Sequence, residues 1–347
     1  MLLIFFSSFS STLFCSFYAY IMHFATCDLV FAKFCRMKAG ISGSKTFVTT
    51  NLVGGLGNQL FLVANLLATA RRNGLTAVLP RVGFSSSNEH PRPVYWKSVF
   101  ADLEAYGVGC ELPADAPEVI VPEQRPVSPV TISASTRCTY NMVGFFQSEG
   151  FFADHPIIRD VVPSEMRNAS LKHLHDNYKT KNSDPRVTQY VGLHIRRGDY
   201  LRLGDVFEIL EVDYYDTAVR QLLGHALHQQ ALGQSHVHLL VFCEEERYGA
   251  SVVGYFRSKY AGLEASLVSH SVESVGFSCD EKMPREVLEL LMLSNCNDII
   301  MANSTWSWWA AYLNTRPLRR IVAPSRWFVQ HPYPQSNHLY CSNWILL

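Results

Sequence analysis

Two adjacent arginines follow a short apolar run near the middle of the chain. The run, Tyr190–Ile195, alternates large apolar residues with smaller or polar ones, which predicts a strand. Arg196 and Arg197 come directly after it, and Gly198 and Asp199 then favour a turn. Ligands of open α/β sheets bind beyond the carboxyl ends of strands, and a guanidinium pairs bidentately with phosphate or carboxylate. The segment therefore predicts an anion site; the alternative is a strand end with solvated arginines and a turn aspartate.

Two further segments each lie between a predicted strand and a predicted helix. Gly54–Gly57 opens a helix at Asn58, and Asn303–Ser307 precedes a helix that we expect to start near Trp308. Backbone N–H groups at a helix start attract anions, so both segments are candidates for contact with a phosphorylated ligand. The alternatives are a tight structural turn for the first and an ordinary Ser/Thr helix cap for the second.

Four sequence motifs now stand in a fixed order along the chain. They read GGLGNQLF at residues 54–61, GFFQSE at 144–149, HIRRGD at 194–199 and ANSTWSWWAAYL at 302–313. Together they resemble the signatures of the α-1,2-fucosyltransferase family, and the match runs from about Asn51 to Leu313. Several ordered motifs at this spacing form a specific signal.

The resemblance implies an inverting, metal-independent enzyme that moves L-fucose from GDP-fucose to the 2-hydroxyl of a galactose-containing glycan. A fucosyltransferase of another linkage is the alternative. The resemblance places Arg196 on the β-phosphate of the donor, with Arg197 in support and His194 near the nucleotide. The remaining residues that we expect at the donor are Glu244, Glu245, Asn303, Ser304, Thr305 and Ser307. The cleft loop that we expect to approach the ligand contains Gly55, Gly57, Asn58 and Gln59.

Two roles stay open at this stage. A carboxylate after the strand that ends at Cys243 could accept the guanine N–H pair, which would select GDP; a solvated acidic turn is the alternative for Glu244 and Glu245. An inverting transfer also needs a base for the acceptor hydroxyl. Asp199 is our candidate for that base. The alternatives are Asp205, Glu208 and Glu149.

The charge of the leaving diphosphate must be stabilised either by a metal ion or by fixed donors. Metal-dependent glycosyltransferases usually carry an Asp-x-Asp motif, and the sequence contains none. Glu211–Asp213 comes nearest and has the pattern of a helix start. We therefore expect no cofactor, with Arg196 in the place of the metal.

The elements that must position these residues alternate along the chain. Predicted strands and helices follow one another in both halves, which favours parallel, doubly wound sheets. With the resemblance, this predicts an α/β fold of two Rossmann-like domains of glycosyltransferase B type. We expect an acceptor-side domain over 46–186 and a GDP-fucose-binding domain over 187–347, with the linker at Lys179–Arg186. The proline-rich stretch Phe84–Val130 is expected to be a surface excursion on the acceptor side.

Composition limits the binding partners and the cellular compartments that fit this chain. Thirty basic residues balance thirty acidic ones in 347, so no basic surface indicates nucleic acid. Met1–Cys27 contains no Asp, Glu, Lys or Arg and is long enough to cross a bilayer. The resemblance makes residues 1–45 the anchor of a Golgi membrane enzyme with a lumenal catalytic domain. The basic residues follow this apolar run, however, so a mitochondrial transit peptide is the alternative.

Two rival functions require features that the sequence lacks or leaves unexplained. A dinucleotide-dependent oxidoreductase needs a third glycine where Leu60 stands and an acid at the end of the next strand. A non-catalytic sugar-binding membrane protein could use Trp306, Trp308 and Trp309, yet it would not need paired arginines at a strand end. At helical spacing, we expect two of these tryptophans in the core.

Overall fold

The structure is a computed structural model of the chain. It describes residues 46–85, 91–133, 137–178, 188–231, 236–268, 275–276, 282–329 and 338–347. The predicted N-terminal anchor (1–45) and the predicted linker (Lys179–Arg186) lie outside the described residues. The division into two domains therefore stays a prediction.

The first sheet of the described chain is parallel throughout, in the order β2-β1-β4-β3. Its strands are β1 (Phe47–Thr50), β2 (Thr76–Val78), β3 (Glu118–Pro122) and β4 (Thr139–Val143). The central strand β1 is buried on both faces, as parallel strands covered by helices are. It leads directly into the Gly54–Gly57 loop.

The second sheet is also parallel, in the order β10-β9-β8-β5-β6-β7. Its strands are β5 (Thr188–Ile195), β6 (His236–Cys243), β7 (Glu264–Leu267), β8 (Asp298–Ile300), β9 (Ile321–Ala323) and β10 (Ile345–Leu346). The strand order reverses direction at β5, because β8 lies on one side of it and β6 on the other. Such a reversal opens a crevice at the carboxyl ends of the strands. The two parallel sheets confirm the predicted α/β class.

Seven α-helices connect these strands within the described residues. They are α1 (Leu56–Asn73), α2 (Ile158–Val161), α3 (Ser164–Tyr178), α4 (Val212–Ala231), α5 (Glu246–Lys259), α6 (Arg285–Ser294) and α7 (Thr305–Leu313). Helix α1 ends as predicted at Gly74, whose left-handed backbone (φ 62°) lets its N–H bond the last carbonyls. No helix in these ranges combines the length and apolar character that a membrane crossing needs.

One hydrophobic core joins the first sheet to part of the second half. It contains α1 residues such as Phe61 together with Trp308 and Trp309 of α7. The Phe61 ring lies 4.5 Å from that of Trp308 and 4.9 Å from that of Trp309. Both tryptophans are buried, which confirms that two of the three tryptophans belong to the core, whereas Trp306 is only partly buried. Helix α7 therefore fixes the position of the Asn303–Ser307 turn relative to α1.

Two local predictions need correction. The stretch Phe84–Val130 contains regular structure, because β3 lies within it and pairs in register with β4. Strand β4 has five residues and was not among the predicted strands. The last helix begins at Thr305 and not near Trp308, since Ser304 is the final extended residue (φ −139°, ψ 129°) before the helix.

Candidate active site

Arg196 lies directly after β5, the strand at which the second sheet reverses direction. Its guanidinium donates to the carboxylates of Asp199 and Glu244. It also lies 5.0 Å from the centre of the Tyr200 ring, within the range of a cation–π contact. Arg196 is therefore fixed in place by two charges and one aromatic face, with 21% of its side chain exposed.

The acidic residues after β6 support the turn at Arg196–Asp199, which we call the arginine turn. Strands β5 and β6 pair up to Ile195 and Cys243, so their following residues meet. Glu244 Oε1 accepts from the Arg197 backbone N–H (3.0 Å), and Glu245 Oε1 accepts from the Gly198 N–H (3.2 Å). In this structure both carboxylates hold the arginine turn. Their predicted contact with guanine stays a prediction.

Arg197 faces the protein and not the crevice. Its guanidinium lies 3.9 Å from the centre of the Tyr248 ring and forms ion pairs with Glu245 (3.5 Å) and Glu211 (3.8 Å). Only 15% of its side chain is exposed. Arg197 thus stiffens the turn behind Arg196, and its part in donor binding stays a prediction.

The Asn303–Ser307 turn lies beside the arginine turn. The Tyr200 hydroxyl connects the two by donating to the Asn303 carbonyl (3.0 Å). The Asn303 amide donates to the carbonyls of Glu208 (2.8 Å) and Trp327 (2.9 Å). A direct ligand role for the Asn303 amide N–H groups does not fit these contacts.

Ser307 is also turned inward. Its buried hydroxyl donates to the carbonyls of Ala302 and Ser304, each at 3.3 Å. Ser307 thus closes its own turn in this structure, and the donor contact predicted for it stays a prediction. Ser304 occupies the N-cap position of α7 without a side-chain capping bond, and Thr305 is partly exposed at the first helical position. These two hydroxyls remain candidates for contact with an anion.

The starts of α1 and α7 meet at Gly57. A Cβ atom at this position would lie 2.5 Å from the Thr305 carbonyl carbon and 2.6 Å from the Trp306 nitrogen. Gly55 is the N-cap residue of α1 and has open space around it. Two helix starts therefore converge, and each offers backbone N–H groups and positive dipole charge. The close approach explains why glycine stands at 57.

The polar side chains of the cleft loop connect to other segments. The Asn58 side-chain oxygen accepts from Gln147 (3.0 Å), in the GFFQSE segment. Gln59 is fully buried and donates to the carbonyls of Gly54 and Pro93, both at 3.0 Å. Gln59 thus supports the loop from inside, and its predicted approach to the ligand stays a prediction. Asn58 is partly exposed and can still face one.

His194 lies behind the site, with its ring 4.7 Å from that of Trp306. Burial, and secondarily the charge of Arg196, lowers the pKa of His194 to about 3. The imidazole is therefore neutral near pH 7. Its Nδ1 atom has no hydrogen-bond partner among the described residues. Its position beside Trp306 places it near the two helix starts.

A cleft of about 360 Å³ opens next to Arg196. It is lined by Pro91, Arg92, Arg196, Asp199, Arg202 and Glu244. The sequence did not single out Arg92 or Arg202. Arg202 is separated from Arg196 by a 3₁₀ turn (Gly198–Leu201), and Arg92 comes from a stretch without periodic pattern. Three arginines against two carboxylates make this cleft suited to an anion.

The four candidate bases lie in different surroundings. Asp199 lines the cleft and pairs with Arg196. Asp205 is exposed on the following loop. Glu208 is partly exposed, and its backbone N–H donates to the Trp327 carbonyl (3.2 Å). Glu149 is hydrogen-bonded to Cys341. Burial raises the pKa of the Cys341 thiol most, and the contact with Glu149 raises it further. Asp199 is the one candidate among them that lines the cleft.

The fold and the cleft define an α/β protein with an arginine-lined anion site at the strand ends of a parallel sheet. Residues 266–347 match the family described as glycosyl transferase family 11. The matched region includes the segment ANSTWSWWAAYL, and the match confirms the predicted resemblance. No group of three or more His, Cys, Asp or Glu side chains in the described ranges is arranged to hold a metal ion.

Two curated relatives come from Escherichia coli. The O-antigen biosynthesis glycosyltransferase WbnK is 26% identical over 213 residues, covering 60% of this chain and 61% of the relative. An alpha-1,2-colitosyltransferase is 25% identical over 209 residues, covering 57% of this chain and 59% of the relative. The chain thus matches about three fifths of the length of each of them.

Solved structures with a similar arrangement include fucosyltransferases. The structure of POFUT1 in complex with GDP has a TM-score of 0.48 at 12% identity and covers 82% of this chain and 99% of its own. Fucosyltransferase NodZ from Bradyrhizobium has a TM-score of 0.44 at 14% identity, with 78% and 93% covered.

Proposed function

We propose that this protein transfers L-fucose from GDP-fucose to the 2-hydroxyl of a galactose-containing glycan, with inversion and without a metal ion. The observation that carries the proposal is the position of Arg196, at the sheet reversal, on the wall of an arginine-lined cleft. The glycosyl transferase family 11 match and the two glycosyltransferase relatives support the reaction class. The four sequence motifs support fucose, GDP and the α-1,2 linkage.

The chemistry proposed for the cleft follows from charge. When the bond between the sugar C1 and the diphosphate breaks, negative charge grows on the leaving phosphate. Arg196 can neutralise it with two parallel N–H donors, a geometry that a lysine cannot reproduce. The converging starts of α1 and α7 add backbone donors and positive dipole charge. These groups together supply the stabilisation that a metal ion gives in other glycosyltransferases.

The acceptor hydroxyl must lose its proton as the bond forms, and we propose Asp199 as the base. Its carboxylate lines the cleft beside Arg196, which places it near the diphosphate end of the donor. Glu208 and Asp205 follow on the adjoining loop and are the next candidates. Glu149 is the least favoured, because it engages Cys341.

The test is transfer from GDP-fucose to a terminal β-galactoside by the purified chain, with and without EDTA. We expect an α-1,2-linked product in both conditions, identified by NMR of its anomeric linkage. Arg196→Ala should remove transfer while circular dichroism and the unfolding midpoint show a folded protein. The matched control is Arg220→Ala on α4, whose side chain is 61% exposed and pairs with Asp216. Full activity of Arg196→Ala would contradict the assignment.

A second donor follows from one of the relatives. Because a protein 25% identical to this chain is an alpha-1,2-colitosyltransferase, the same assay should include a colitosyl donor. We expect fucose to be preferred. Transfer of colitose alone would keep the proposed class and linkage but change the sugar.

The proposed compartment is the Golgi membrane, with residues 1–45 as anchor and the catalytic part in the lumen. A mitochondrial location through a cleaved transit peptide is the alternative. A C-terminal fluorescent fusion of the full chain separates the two by co-localisation, and N-terminal sequencing of the recovered protein shows whether the segment has been removed.

A further inference from the structure

Arg196 contacts two carboxylates that are held unequally. Glu244 is bound at both oxygens, since Oε2 accepts from Arg196 and Oε1 accepts from the Arg197 backbone N–H (3.0 Å). Its Oε1 atom also lies close to Gly198, since a Cβ atom at that glycine would lie 2.5 Å from it. Asp199 reaches Arg196 through one oxygen only, Oδ1. The two side chains are about equally exposed, at 42% for Asp199 and 38% for Glu244, so the difference lies in the number of hydrogen bonds.

The contact with Asp199 occupies the position that an incoming anion needs. Carboxylate and phosphate oxygens compete for the same guanidinium donors, because both accept the paired N–H groups of arginine. Arg196, Asp199 and Glu244 all line the same cleft. A diphosphate entering beside them would meet two negative charges already paired with Arg196. One of these must move aside, and Asp199 is the carboxylate with fewer attachments.

We propose that Asp199 acts as an internal substitute for the donor phosphate on Arg196 and is released when the donor binds. Arg92 and Arg202 on the cleft wall attract the incoming anion, while Glu244 stays and keeps the guanidinium oriented. The released carboxylate is then free to take the proton of the acceptor hydroxyl. Donor must consequently bind before the acceptor can react. The proposal rests on the proposed function in that the incoming anion is the diphosphate of the donor.

Calorimetric titration of the full chain with GDP, and separately with pyrophosphate, tests the exchange. Asp199→Asn keeps the side-chain shape but removes the competing charge, so both ligands should bind about fivefold more tightly, the upper range for a partly exposed ion pair. Turnover should fall in the same variant. If Asp199 only stabilised the fold, its substitution would weaken ligand binding as well as lower turnover.

Two further variants serve as controls, one for the change in net charge and one for the position of Arg196. Asp213→Asn removes one negative charge from an exposed position at the start of α4. Asp213 is not among the residues that line the cleft, so both affinities should stay unchanged. Glu244→Gln removes the support of the arginine turn and should weaken both ligands. Opposite effects of Asp199→Asn and Glu244→Gln are the signature of the exchange.

The outcomes separate this inference from the proposed function. If GDP binds the unmodified chain and Asp199→Asn binds neither ligand more tightly, the exchange is wrong and the donor site stands. If pyrophosphate binds more tightly to Asp199→Asn while GDP is not recognised by either protein, the exchange stands and the proposed donor is wrong. Equal tightening by Asp213→Asn would reduce the effect to overall charge and overturn the exchange.

Discussion

Gly57→Ala tests whether the contact between the starts of α1 and α7 sets the shape of the site. The added Cβ would lie 2.5 Å from the Thr305 carbonyl carbon and 2.6 Å from both Thr305 Oγ1 and the Trp306 nitrogen. Ordinary contact begins near 3.4 Å, so the two helix starts must separate by about 1 Å. Two of the three atoms belong to the backbone, and a rotamer change cannot relieve them.

The expected cost follows from overpacking between rigid elements, about 1–3 kcal/mol of unfolding free energy. Affinity for GDP should also fall, because the helix N–H groups move relative to Arg196. Gly55→Ala is the matched control. It has open space and an extended backbone (φ −77°), and the loss of a good N-cap residue is offset by lower entropy of the unfolded chain. Its net change should be about 0.5 kcal/mol or less.

Urea unfolding followed by tryptophan fluorescence, with GDP titration of the same preparations, gives both quantities. Equal stability and equal GDP affinity of Gly57→Ala and Gly55→Ala would refute the close approach of the two helices. Loss of stability without loss of GDP affinity would show that the contact matters for packing and not for the ligand.

Two further predictions concern the residues around Arg196. Tyr200→Phe keeps the ring beside Arg196 but removes the hydroxyl that donates to the Asn303 carbonyl, so urea unfolding should show a loss of about 1–2 kcal/mol, and unchanged stability would contradict the bridge. Folding lowers the pKa of His194 from 6.5 to about 3, so between these pH values the unfolded chain binds one proton more than the folded chain. The contribution of His194 to stability is therefore complete above pH 6.5 and is lost as the pH falls from 6.5 towards 3. Between pH 7.5 and 5.0 this group should cost about 2 kcal/mol, and His194→Gln should lose that much less than the unmodified chain in urea unfolding at the two pH values. The lowered pKa of buried His238 is common to both proteins, so the difference isolates His194.

The helices and the central strands could be predicted because each carries its own periodic pattern. Helix α1 is an example: its apolar spacing and Gly74 define it without reference to the rest of the chain. Strand β3 was missed because its side chains are mostly exposed, so it lacks an alternating apolar pattern. Its partner β4 (Thr139–Val143) is also distant in the sequence.

The site was predictable in its strand-end position and not in its side-chain contacts. Arg196 follows a strand, and position along a parallel sheet can be inferred from sequence. The inward orientation of Ser307 and Gln59 depends on which carbonyls the fold brings near them. Arg92 reaches the cleft only through the packing of the two halves. Such long-range juxtapositions have no local sequence signal.

The packing of Phe61 against Trp308 and Trp309 has a consequence for how this chain could be recombined. The region that matches glycosyl transferase family 11, residues 266–347, includes α7, which is wedged into the core of the opposite sheet. In a hybrid of two related proteins, a crossover between β4 and β5 would combine α1 of one parent with the Trp308–Trp309 pair of the other. Hybrids that keep this core should therefore inherit α1 and α7 from the same parent.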